Sequence, residues 1–260
     1  MAFQFLGYEV SQGVATITLN RPEVYNALHD PITYELQDAF KNAARDEAVR
    51  VIVLTGAGKA FCSGQDLKAE SEGGKRSFME SLHRRYNPII RAMRSLPKPI
   101  LCRLNGVAAG AGCSLALACD LIIASEEAVM IEVFINIGLV PDSGSSWFLP
   151  RIVGSAKAFE LCTMGNKIKA AEALELGLVN KVVPAGELDT AVAGYTLYYA
   201  NAPTKAIGII KKMLNKSATG TLDEVLEYEA YAQEIAGSTF DHQEGVKAFL
   251  EKRKPVFLGK

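Results

Sequence analysis

Along the first half of the chain, the spacing of apolar residues switches repeatedly between strand-like and helix-like. Val14 to Leu19 (VATITL) has an alternating pattern of period two, which predicts a half-buried strand. Asp30 followed by Pro31 is a helix start, a capping side chain and then a ring with preset φ. Ile32, Leu36, Phe40 and Ala43 follow at helical spacing. The run 51–54 is continuously apolar, as expected of a strand covered on both faces. A charged segment, 68–76, leads into a predicted helix over 78–93. Strands are predicted at 100–104 and 121–124, with a helix over about 112–119 between them. This alternation predicts a largely parallel α/β core. The second half is helical in pattern: AKAFELCTMG, AAEALELGLV, then 189–200, 203–216, 221–236 and 241–253. The pattern divides the chain into a core over 1–200 and a helical C-terminal region over 201–260, within one functional unit.

Composition narrows the function classes. The chain has 260 residues, 49% hydrophobic and 22% charged, enough apolar content for a substantial core. A net charge of −1 argues against a nucleic-acid surface. No apolar run is long enough to predict a membrane span, and MAFQFLGYEV has neither the basic nor the apolar part of a secretory signal. Five cysteines (Cys62, Cys102, Cys113, Cys119, Cys162) form no CxxC pair. Reduced thiols in the cytoplasm are therefore expected rather than disulfides or a zinc site. No His/Asp/Glu cluster has metal-ligand spacing.

The chemistry is carried by two small-residue segments that each follow a strand: TGAGKAFCSGQDL (55–67) and NGVAAGAGCSLA (105–116). Such segments turn sharply and expose backbone N–H groups to a ligand. Two of them could aim two donors at one developing oxyanion, or simply be two strand-to-helix turns. A third segment, GLVPDSGSSW (138–147), supplies an acid, Asp142. Known motifs fail on inspection. A phosphate loop would need glycine at Val53 and Ser or Thr at Ala60, and a dinucleotide fingerprint would need glycine at Leu115. A nucleophile elbow at Ser114, with Asp142 and His242, would lie eight residues beyond the strand end and has Ala116 in place of its last glycine. His29, His83 and His242 sit in polar sequence surroundings, as surface histidines do. Asp66 reads as a helix-turn cap, Asp120 as a helix-to-strand junction, and Tyr25, Trp147 and Phe148 as core.

FCSGQDL, NGVAAGAGCSLALACDLIIAS and GLVPDSGSSWFLPRIVG together resemble the crotonase (enoyl-CoA hydratase/isomerase) superfamily. The likeness extends from TITLNRPEVYNAL (16–28) through AAEALELGLVNKVV (170–183) to EGVKAFLEKRKPVF (244–257). Within the superfamily the chain is similar to isomerases of ring-epoxide phenylacetyl-CoA and to Δ3,Δ2-enoyl-CoA isomerases. The resemblance implies a crotonase fold, a spiral of ββα units with a helical C-terminal region, assembled as a homotrimer or a dimer of trimers. It implies an acyl-CoA substrate, with coenzyme A part of the substrate and no separate cofactor. The thioester oxygen would be held by the N–H groups of Gln65 and Ala111. The two glutamates of the hydratases would fall at Ser114 and Phe134, and both are absent, whereas Asp142 matches the single acid of the isomerases. Phe134 would desolvate Asp142 and raise its pKa. A helix cap is the other reading of Asp142, and Glu132 is a second candidate acid. By the same resemblance, Ala60, Cys62 and Ser63, with Lys68 nearby, would meet the adenine end of CoA, and Asp66, Leu67, Gly110 and Phe134 would lie along the substrate. Phe249 and Lys252 would contact CoA from the same or a neighbouring subunit. The alternatives are a hydratase or a thioester hydrolase of the same fold, and a non-catalytic acyl-CoA-binding subunit.

Overall fold

The computed structural model describes residues 3–68 and 77–260. The charged segment expected over 68–76 lies, beyond Lys68, outside the described residues.

The chain begins with a hairpin, β1 (Leu6–Ser11) and β2 (Val14–Leu19). Ser11 faces Val14 across a two-residue turn in which Gln12 (φ 48°) and Gly13 (φ 81°) are both left-handed, the turn whose twist matches paired strands. From β2 the sheet continues in parallel through β3 (Val51–Gly56), β5 (Ile100–Leu104), β7 (Leu121–Ser125) and β10 (Lys181–Val183), giving the order β1-β2-β3-β5-β7-β10. A second sheet consists of three short parallel strands, β4 (Ala60–Cys62), β6 (Val107–Ala109) and β8 (Val129–Ile131), closed by antiparallel β9 (Ile168–Lys169). Each long strand β3, β5 and β7 is thus followed directly by a short one in the other sheet, and the repetition generates a spiral. The expected loops 55–67 and 105–116 each contain one of these short strands. A strand of only three residues carries no readable alternation, which is why pattern alone treats these segments as loop.

The apolar run of β3 is explained by its two covers. Ile52 and Leu54 enter the main core with Ile17, Leu19, Ile100 and Phe40, while Val51 and Val53 face α7 (Leu188–Ala200) with Leu101, Ile123, Leu188 and Val192. Helix α1 (Asp30–Arg45) has Pro31 in its first turn and buries Ile32, Leu36, Ala39, Phe40 and Ala43. His29, not Asp30, occupies its cap, and no side chain caps it. The helix expected over 78–93 is three pieces: α2 (Phe78–Ser81), a π-helical turn (Leu82–Tyr86) and α3 (Asn87–Ser95). Next come α4 (Ala111–Leu117), fully buried, and α5 (Ser145–Met164), interrupted at Gly154 (φ 77°). Helices α6 (Ala170–Glu175), α8 (Thr204–Ser217), α9 (Leu222–Gly237) and α10 (Phe240–Leu250) complete the chain. Thr221 and Glu224 form a capping box for α9, and Thr239 caps α10.

Asp120 is more than a junction. Its carboxylate accepts from Lys211 of α8 (2.7 Å), Arg94 of α3 (3.1 Å) and the Ile100 N–H (2.8 Å). It ties the C-terminal region to the spiral.

The second sheet packs main chain to main chain against the start of α4. A Cβ on Gly112 would lie 2.2 Å from the Cys62 carbonyl oxygen, and one on Gly64 (φ 94°) 2.8 Å from the Ala109 carbonyl oxygen. Substitution G112A is expected to cost about 1–3 kcal/mol through overpacking, read as a lower denaturant midpoint with an unchanged slope. Unaltered stability would show that β4 and α4 do not approach so closely.

Candidate active site

The close approach at Gly64 and Gly112 decides where backbone donors point. A Cβ on Gly64 would lie 3.6 Å from the Ala111 nitrogen, so the turn carrying Gln65 rests on the N-terminus of α4. Leu28 pairs with this turn by donating to the Gly64 carbonyl and accepting from Asp66, which leaves the Gln65 N–H unused. Ala111 is the first residue of α4, where an N–H has no helical partner. Among the described residues, neither N–H donates a hydrogen bond to protein. Both residues line a cavity of about 280 Å³. Larger clefts lie beside α7 (about 560 Å³) and among α8, α9 and α10 (about 650 Å³), but neither adjoins these two turns.

Asp142 enters the same cavity from the turn before α5. Ser143 (φ 51°) and Gly144 (φ 92°) are left-handed in succession and set the direction of that turn. Gly144 occupies the helix cap and receives no help from the Asp142 side chain, whose Oδ1 accepts instead from Ser143 Oγ at 2.8 Å. The capping reading of Asp142 therefore fails. Burial raises the carboxyl above its ordinary range, and the Ser143 hydrogen bond offsets this in part. The remaining wall is mostly apolar, with Phe78, Leu82, Phe134, Ile137, Leu139 and Val140.

One side of the turn that carries Gln65 is clamped. Gln65 Oε1 accepts from Arg85 Nη2 at 3.0 Å and from the Tyr86 hydroxyl. Arg85, only 3% exposed, pairs with Asp30 at 3.0 Å and lies over the Tyr86 ring. Both residues belong to the π-helical turn. Reading by apolar spacing assigns a charged residue to the outside, so no local signal marks Arg85 as inward.

Of the residues expected at the site, the cavity brings together Ser63, Gln65, Leu67, Gly110, Ala111, Phe134 and Asp142. Ala60 and Cys62 lie in β4, 1% and 0% exposed, and present no side chain to it. Asp66 directly precedes a helical turn that begins at Leu67, and its carboxylate also pairs with Arg21 at 2.9 Å. Lys68 is exposed, just beyond Leu67. Phe249, 81% exposed on α10, borders the cleft among the C-terminal helices, and Lys252 follows that helix on the surface, so neither reaches this cavity within the chain. Tyr25 is exposed rather than core, while Phe148 is buried and Trp147 packs against the core. His29 is not a surface histidine. It is half-buried, its ring edge-on to Phe5, its pKa lowered by burial and its Nδ1 without a partner. Sequence reasoning missed Gly64, Val133, Asn136, Ile137, Leu139 and Val140 as lining residues.

A family model described as enoyl-CoA hydratase/isomerase matches residues 9–260. The chain belongs to this family. It is 42% identical over 260 residues to the 1,2-epoxyphenylacetyl-CoA isomerase of Escherichia coli (strain K12), with 99% of each chain covered. It is equally 42% identical over 260 residues to a probable enoyl-CoA hydratase of Rhodobacter capsulatus, with 100% of each covered. Among solved structures, enoyl-CoA hydratase from Bacillus anthracis superposes with a TM-score of 0.94 at 32% identity, covering 99% of this chain and 100% of that one. The fold is the crotonase fold, and the chain is a crotonase-superfamily enzyme acting on CoA thioesters. No helix among the described residues is long and apolar enough to cross a membrane.

Behind Asp142 lies Glu132, which is 0% exposed and 3.0 Å from Ser145 Oγ. Its Oε2 has no partner, and burial pushes the carboxyl up from 4.5 to about 7. Between those two values the folded chain holds a proton that the unfolded chain releases, so stability falls as pH rises from 4.5 to about 7 and stays reduced above. E132Q removes this loss. The Tm difference between E132Q and the parent should be constant below pH 4.5, widen in favour of E132Q up to about pH 7, and level off above. A pH-independent difference would show that Glu132 titrates normally.

Proposed function

We propose that the chain is an acyl-CoA isomerase that enolises a CoA thioester and moves a double bond with one acid, Asp142. The observation that carries this reading is a raised, desolvated carboxyl facing a cavity that also presents the two unused N–H groups of Gln65 and Ala111. Asp142 as carboxylate takes a proton from the carbon next to the thioester. The negative charge moves to the thioester oxygen, where each preorganised donor lowers the barrier by about 3 kcal/mol. The protonated acid then returns the proton two carbons further along, and the double bond shifts with no net consumption of acid or base. A raised pKa suits a group that must both take and give the proton.

Hydration fits the site less well. The hydroxyl of Ser114 is engaged inside the protein with Gly110 O, Asp142 O and Ser145 Oγ, and Phe134 is apolar, so no pair of carboxylates is present to orient and deprotonate water. The apolar wall suits an alkenyl or aromatic acyl group. A ring-epoxide phenylacetyl-CoA is the second substrate class, favoured by the likeness to the E. coli isomerase. A homotrimer or dimer of trimers is supported by apolar side chains exposed on the C-terminal helices, among them Leu197, Leu214, Leu226, Phe249 and Leu250. In such an assembly Phe249 and Lys252 would serve a neighbour's CoA. Five unpaired thiols suit the cytoplasm.

Proton NMR in D2O with a 3-enoyl-CoA tests the reading. The parent should migrate the double bond and exchange deuterium, and D142N should lose both by about 10²–10⁴-fold while still binding the ester. kcat/KM should fall as pH drops through the raised pKa of Asp142, where the base becomes protonated. An active D142N, or rapid water addition to a 2-enoyl-CoA, would overturn the assignment.

A further inference from the structure

Three oxygen-to-oxygen contacts run in series from Glu132 to the backbone of Asp142. Glu132 Oε1 and Ser145 Oγ are 3.0 Å apart, Ser145 Oγ and Ser114 Oγ 2.8 Å, and Ser114 Oγ and the Asp142 carbonyl oxygen 3.0 Å. Every contact of this kind needs one hydrogen between its oxygens. The two hydroxyls supply two. The third can come only from the Glu132 carboxyl itself.

We propose that Glu132 is a positioning residue whose protonated form completes this series and holds the Asp142 turn against α4. With the proton present, Glu132 donates to Ser145, Ser145 to Ser114, and Ser114 to the Asp142 carbonyl. With the proton gone, Ser145 turns its hydrogen to the carboxylate. Ser114 then has one hydrogen for Ser145 Oγ, the Asp142 carbonyl and the Gly110 carbonyl at 3.3 Å. At least one contact in the series is left as two facing lone pairs, and it loosens.

The surroundings favour the neutral form. The titratable groups facing Glu132 are Cys113 from α4, Cys162 from α5 and Asp142 from the turn, and no cation is among them. The Cys113 thiol lies beside the carboxyl and, as a weak donor, favours its charge. No hydrogen bond of ordinary length and angle reaches Oε2, however, and burial outweighs the thiol. The other hydrogen bonds to Asp142 among the described residues, from the Ser145 N–H to its carbonyl at 3.1 Å and from the Ser143 hydroxyl to its carboxylate, are internal to the turn. The series is therefore a hydrogen-bonded link from this turn to α4.

The proposal rests on the isomerase reading only for its kinetic consequence, so the first test needs no substrate. Amide hydrogen exchange of the 139–146 segment is measured by mass spectrometry on the full chain, corrected for intrinsic rates, from about pH 6 to about pH 8.5. The parent should lose protection there by about tenfold as Glu132 ionises. E132Q, whose amide donates to Ser145 at every pH, should hold it level. Parallel loss in both proteins, or loss in neither, overturns the proposal. The second test is kcat against pH with a 3-enoyl-CoA. The parent should decline above about pH 7, whereas E132Q should not, with KM altered less than kcat in both. S145A, which breaks the series without touching the acid, should lower kcat at all pH values and abolish the alkaline decline. A decline that persists in E132Q and S145A overturns the proposal. An active D142N would instead overturn the isomerase reading and leave the exchange result standing.

Discussion

At the start of α4, the carbonyl oxygen of Cys62 occupies the place that a side chain at position 112 would fill. Main chain meets main chain there, and the rest of the site inherits its geometry from that contact. Because β4 lies directly on the start of α4, the turn after β4 can set the Gln65 N–H in the same cavity as the Ala111 N–H. No side chain has to adopt a rotamer to bring the donors there. Dipoles fixed by the backbone need no reorganisation when charge develops, which is the condition under which they stabilise it most.

The acids are shaped by a second constraint, the lack of a neighbouring cation among the described residues. Arg21, Arg85, Arg94 and Lys211 are all paired with other carboxylates, those of Asp66, Asp30 and Asp120. Among the described residues, Asp142 is left with the Ser143 hydroxyl, and Glu132 with the Ser145 hydroxyl and the weakly donating Cys113 thiol. A carboxylate beside a guanidinium would be a poor base, whereas one surrounded by apolar walls and a single serine is shifted toward neutrality. The same sequence segment, 132–145, thus provides both the apolar wall and two carboxyls with raised affinity for protons.

Much of this arrangement was legible from the residues. The long strands and α1 follow from apolar spacing, and the small-residue segments marked where the main chain turns sharply beside the cavity. The short strands β4 and β6 were not legible, because three residues are too few for a period to be read. Nor was the inward course of Arg85. Its partners Asp30 and Gln65 lie 55 and 20 positions away, so its burial is a property of the assembled fold, not of the local sequence. The role of Asp120 was hidden for the same reason, since Lys211 approaches from a helix 91 residues away. Asp142 was legible as an acid at a turn, but only the left-handed Ser143 and Gly144 show that its side chain is released from capping.

The clamp of Arg85 and Tyr86 on the Gln65 side chain has a further consequence. Leu82 and Tyr86, which line the cavity, sit on the same π-helical turn that grips the oxyanion segment. In the proposed isomerase, the wall that would meet the acyl group and the segment that would polarise the thioester are thus mechanically one piece. An acyl chain too wide for the cavity would push on that piece and displace the Gln65 donor. Size selection would then be expressed in the speed of the reaction more than in the hold on the ester.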